Sequence, residues 1–115
     1  MELKELKRLM VGDWVYNTFN KKYEQVQQIL ESGVMLDYND IYSADEIEPV
    51  KLTPEILKRN GFIRDGESWW YQDFRIVLST SKGVSLVCGR QKRFAFVHEL
   101  QQALRLCGIE KEIKL

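Results

Sequence analysis

The sequence predicts an α+β fold, and three observations carry that prediction. Short alternations of β-branched and aromatic residues, separated by turn-forming residues, occupy both halves of the chain. A sharply capped helix start, Thr53-Pro54-Glu55, interrupts them. Near the end, the alternating run Phe94-Ala95-Phe96 passes into helical spacing at Val97, Leu100 and Leu104. The expected architecture is a β-rich region over 1–52, a short linker helix over 53–61, an antiparallel meander over 62–96 and a C-terminal helix over 97–107 that covers it. At 115 residues this is the size of one domain, burying roughly two-thirds of its unfolded surface.

Val11-Gly12-Asp13-Trp14-Val15 sets a Gly-Asp turn before a β-branched and aromatic run, which starts a strand. The Gly-Asp turn and the short strands after it resemble small SH3-like barrels. Tyr23 to Leu30 fits two patterns: a helical face of Tyr23, Val26, Ile29 and Leu30 stopped by Gly33, or a bulged strand turning at Glu31-Ser32-Gly33 into Val34-Met35-Leu36. The strand is preferred, because the β-rich segment that follows leaves a helix little to pack on. Ile41-Tyr42 and Ile47 to Leu52 read as further short strands, the second at an edge because Pro49 has no N–H for a ladder.

The helix after Thr53 is the best-specified element. Thr53 is a preferred N-cap, Pro54 occupies the first helical position, Glu55 complements the helix dipole and Asn60-Gly61 supplies the stop. From Phe62 the pattern is β again, through Trp69-Trp70-Tyr71, Phe74 to Leu78, Val84 to Cys88 and Arg93 to Phe96. The connections between these runs are short enough for hairpins. Gly108 is placed to end the final helix, and Ile109 to Leu115 either adds a strand or stays loose.

Basic and acidic residues balance at 17 each, so no global field steers the chain toward nucleic acid or an anionic membrane. The signs are unevenly spread: Asp37 to Glu55 is acidic and Lys82 to Leu115 basic. No apolar run approaches the ~20 residues of a membrane span. With no secretory pattern at the N-terminus, Cys88 and Cys107 read as small buried hydrophobes rather than a disulfide framework, and a cytoplasmic setting is expected.

The sharpest chemical signal is His98-Glu99, the first half of an HExxH zinc motif. It fails at Gln102, where an amide stands in place of the second imidazole. Neither cysteine has metal-ligand spacing, and no phosphate loop or nucleophile elbow occurs, so no cofactor, metal or catalytic residue is expected. A pairing of His98 with Cys88 or Cys107 in space stays open. Trp69, Trp70 and Tyr71 form the densest aromatic cluster, and neighbours on a strand face opposite sides, so the two tryptophans cannot both enter one core. Either one is exposed as an interaction hot spot, or two layers bury both. Arg90, Lys92 and Arg93 precede Phe94 and Phe96 in a pattern suited to gripping a phosphate backbone, and equally to a basic hairpin turn. The candidate binding surface is therefore Trp69, Trp70, Tyr71, Arg90, Lys92, Arg93 and His98.

Ile47-Glu48-Pro49-Val50-Lys51-Leu52-Thr53 and Val97-His98-Glu99-Leu100-Gln101, with Gly12 and Asn60-Gly61-Phe62 in the same order, carry a resemblance. In these I-x-P-I-x-L-T and V-H-x-L-Q patterns the chain resembles a family of small uncharacterised proteins encoded by gut bacteria and their phages or mobile elements. Val50 replaces the more usual Ile. The resemblance implies a phage-linked setting and carries over no activity or catalytic residue. The resulting expectation is a non-enzymatic protein-interaction module, binding a protein or itself, with a nucleic-acid-binding accessory protein as the alternative.

Overall fold

A computed structural model describes residues 1–37, 40–66, 68–78, 83–87, 90–93 and 96–115; for residues 3, 77–78, 83–87 and 90–93 it describes the backbone. The described chain is α+β, with several small antiparallel sheets and a C-terminal helix. It divides into two compact units, Met1–Val50 and Lys51–Leu115. That division falls two residues before the 52/53 boundary between the β-rich region and the linker helix expected from sequence.

The first unit opens with a one-turn helix, α1 (Leu3–Leu6), followed by β1 (Trp14–Asn17), β2 (Lys22–Gln25), β3 (Gln28–Ile29), β4 (Val34–Met35), β5 (Ile41–Tyr42), a 3₁₀ turn over Ala44–Glu46 and β6 (Ile47–Pro49). These strands make two three-stranded antiparallel sheets, ordered β2-β1-β6 and β3-β4-β5, and neither closes into a barrel among the described residues. Tyr23 to Leu30 is extended, as preferred from sequence. The chain leaves one sheet for the other at Val26-Gln27, where Val26 N–H donates to Asp13 O (2.9 Å) and Gln27 N–H to Met35 O (2.8 Å).

Leu6, Leu9, Val15, Val26, Val34, Leu36, Tyr42 and Ile47 form the core of this unit. Nothing in the local sequence marks α1, because a single turn has almost no intrinsic stability. Leu6 and Leu9, both buried, are apolar anchors on either side of its end. Pro49 lies on an edge strand, as its missing donor requires. The last strand ends at Pro49, however, and not at Leu52; Lys51 makes only an isolated bridge to Phe96.

In the second unit, α2 (Pro54–Arg59) is capped as its sequence dictates: Thr53 Oγ1 accepts the Ile56 N–H at 3.3 Å. Gly61, at φ +84°, closes it, with Gly61 N–H on Lys58 O and Phe62 N–H on Leu57 O. That paired geometry needs a left-handed residue after the cap, which glycine adopts without Cβ strain. Thr53→Ala is expected to lower stability by about 1 kcal/mol, read as a shift in the urea midpoint at unchanged slope.

A five-stranded antiparallel sheet follows: β7 (Ile63–Asp65), β8 (Ser68–Tyr71), β9 (Phe74–Leu78), β10 (Gly83–Val87) and β11 (Arg90–Arg93), in spatial order β11-β10-β9-β8-β7. This is the expected meander. Its last strand begins at Arg90, three residues before the start expected at Arg93: Val87 pairs with Arg90 and Val84 with Arg93. Apolar periodicity does not mark this start because Arg90, Gln91, Lys92 and Arg93 are polar, and charged residues suit an edge that must not recruit other strands. Phe94 and Ala95 lie outside the described residues, as does Cys88.

The chain ends with α3 (Val97–Leu106), which buries Val97, Leu100, Ala103 and Leu104 and closes on Gly108 at φ +71°. Its sequence periodicity placed this helix within one residue. The segment after it forms no strand, yet it is not loose: Ile113 is buried, and Asn60 clamps the backbone of Lys114 from both sides, accepting its N–H (2.7 Å) and donating to its carbonyl (2.8 Å).

Candidate functional site

Pairing register sorts the five-stranded sheet into two faces. Directly opposed residues share a face, and alternate residues along each strand share it too. Ile63↔Trp70, Trp70↔Arg75, Arg75↔Leu86 and Leu86↔Gln91 form one row across all five strands. Asp65, Ser68, Val77, Val84 and Arg93 belong to the same face. The opposite face holds Arg64, Trp69, Tyr71, Phe74, Ile76, Ser85, Arg90 and Lys92.

Burial identifies which face is inward. Trp69, Phe74 and Ile76 are 6%, 2% and 0% exposed, whereas Trp70 is 38% and Ile63 72% exposed. Trp69 therefore belongs to the core and not to a binding surface; the Arg64 guanidinium lies 5.9 Å from its ring centroid. Tyr71, on the same inward face, is half-buried with its ring 5.4 Å from that of Phe62 and the Lys111 ammonium 5.1 Å away.

Trp70 is the tryptophan that reaches the open face. Arg75 lies across the hairpin from it, its guanidinium 5.9 Å from the Trp70 ring centroid while Arg75 Nε donates to Ser68 Oγ at 3.0 Å. The hydroxyl and the ring thus hold the cation beside an exposed aromatic. By register Val77, Val84 and Leu86 take positions on this face of β9 and β10, and Ile63 lies on it at edge strand β7.

Arg93 shares the Trp70 face, three strands away at about 14 Å, while Arg90 and Lys92 fall on the other face. Of the basic-aromatic run noted in the sequence, Phe94 lies outside the described residues.

His98 sits in the first turn of α3, half-buried, with its ring nearly parallel to that of Phe96 at 5.8 Å. Glu99 has a local role: its Oε1 accepts the Phe96 N–H at 3.1 Å and so caps the helix start. Cys107 is half-buried rather than fully buried and ends the same helix. Nine positions along one helix separate it from His98 by about 13.5 Å, which removes that pair as a nucleophile and base. Among the described residues no group of three His, Cys, Asp or Glu side chains could share a metal ion. No helix among them is long and apolar enough to cross a membrane.

A second aromatic surface was not singled out by sequence. In the first unit Tyr16 pairs directly with Tyr23 on one side and with Glu48 on the other. Trp14 and Gln25 share this face, while Val15, Asn17, Glu24 and Ile47, all buried, take the other. The signal was present as the i, i+2 spacing of Trp14 and Tyr16, but a face becomes visible only once Tyr23 is brought alongside. Compared with models of known protein families, with curated proteins and with solved structures, the chain matches none.

Proposed function

We propose that the chain is a non-enzymatic protein-interaction module whose second unit binds a protein partner through the open face of its five-stranded sheet. One observation carries this reading: Trp70, exposed and held beside Arg75, stands on the same face as the exposed Ile63. Tryptophan and arginine dominate the energetics of protein interfaces, because a large rigid ring and a planar cation bury much surface at little cost in conformational freedom.

With the chain immobilised, capture of a protein from native host lysate is expected to fall at least about tenfold on Trp70→Ala, as loss of a hot spot requires. Leu106→Ala, at an exposed position on α3, is the matched control and should capture normally. Equal capture by Trp70→Ala with an unchanged melting curve would sink the proposal.

The alternative, nucleic-acid binding, is favoured by one observation. Lys51–Leu115 carries twelve basic against seven acidic side chains. It predicts binding that weakens steeply with salt and on neutralising Arg90 and Arg93. The balanced charge of the whole chain makes it the second choice. An SH3-like character for the first unit, a phage or mobile-element setting and a cytoplasmic location belong to the same proposal. They are supported by the short antiparallel strands after the Gly-Asp turn and by the sequence patterns quoted above.

A further inference from the structure

We infer that the first unit carries a separate binding surface, the aromatic face Trp14-Tyr16-Tyr23 with Glu48, and that it takes an extended peptide segment bearing arginine or lysine. This surface lies in the other unit from Trp70 and stands independently of the reading above. Its geometry is a row across three strands: Tyr23 on β2, Tyr16 on β1 and Glu48 on β6, spanning about 10 Å. The two tyrosine rings meet edge to face, centroids 5.4 Å apart at 68°. Tyr23 remains 51% exposed and Glu48 is exposed, with Tyr16 and Trp14 half-buried beside them.

A cross-strand tyrosine pair can serve the sheet alone. Three features point to a ligand class as well. Aromatic faces attract cations through their ring quadrupole, and a carboxylate at the end of the same row adds a full negative charge for the same ligand. Met1–Val50 carries ten acidic against five basic side chains, a field that draws cationic segments and repels phosphate backbones. The row is also the length of about three extended residues, so alternate side chains of one strand-like segment can reach the rings and Glu48 together.

The test uses the full chain and a fluorescein-labelled peptide of alternating arginine and serine, with its glutamate-for-arginine counterpart and a single-stranded oligonucleotide as comparators. Anisotropy should report binding of the arginine peptide alone. Tyr23→Ser, which changes no charge, should weaken it roughly two- to fivefold, and Glu48→Gln, which leaves both rings in place, by a similar factor. Circular dichroism melts confirm that each variant is folded at the assay temperature. Trp70→Ala should leave this affinity unchanged. Full affinity in Tyr23→Ser would reduce the effect to diffuse charge and overturn the proposal. Preferential capture of the oligonucleotide would do the same in favour of nucleic acid. So would concentration-dependent self-association abolished by Tyr23→Ser, in favour of a second copy of the chain.

Discussion

Gly33→Ala is expected to disrupt the β3-β4-β5 sheet and lower stability by about 3 kcal/mol, the upper range for forced overpacking. The position requires space rather than conformational freedom. A Cβ there would meet the Tyr42 carbonyl oxygen and lie 3.0 Å from the carbonyl carbon, both backbone atoms of the neighbouring strand. That strand cannot easily give way. Tyr42 pairs with Val34, is 6% exposed, packs in the core of the unit, and accepts the Asn20 Nδ2 hydrogen bond at its hydroxyl (3.0 Å).

Gly61→Ala provides the contrast. Nothing lies within 4 Å of a Cβ at Gly61, but its φ of +84° disfavours any side chain, at a cost of about 1 kcal/mol. Chemical denaturation of both variants separates steric from conformational cost. A Gly33→Ala loss no larger than that of Gly61→Ala would refute the close-approach argument.

Asn60→Ala is expected to cost a similar amount, about 3 kcal/mol, from losing hydrogen bonds at a buried site. Asn60 is 4% exposed and its amide serves three partners. Nδ2 donates to Ile56 O and Lys114 O, both at 2.8 Å, and Oδ1 accepts the Lys114 N–H at 2.7 Å. One side chain therefore closes α2 and fixes the tail that carries buried Ile113. Asn60→Asp keeps the acceptor but sets a carboxylate against two carbonyl oxygens, and should be no better than alanine. Hydrogen exchange supplies the decisive reading: the Lys114 amide should lose its protection in Asn60→Ala. If that amide stays protected, the clamp is not what holds the tail.

Elements whose signals are local were legible in the sequence. Thr53-Pro54 and Gly61 bound α2 because an N-cap oxygen, a proline ring and a left-handed glycine act within a few residues of themselves. Val97, Leu100, Leu104 and Gly108 delimited α3 for the same reason. Elements that depend on distant partners were missed or displaced. One-turn α1 relies on burial of Leu6 and Leu9, and β11 is specified by pairing with β10 rather than by its own apolar pattern.

The candidate site divides along the same line. Strand alternation alone required Trp69 and Trp70 to face opposite ways, and it identified their cluster as the aromatic centre of the second half. Which ring entered the core followed only from tertiary structure, through the register that aligns Trp69 with Ile76 and Trp70 with Arg75. The sequence by itself also determined the opposite charge signs of its two stretches. Only the fold could bring Tyr23 beside Tyr16 and Glu48. The physical reason is that capping, turn formation and strand alternation are short-range interactions, whereas the membership of a surface depends on pairing between strands that are remote in the chain.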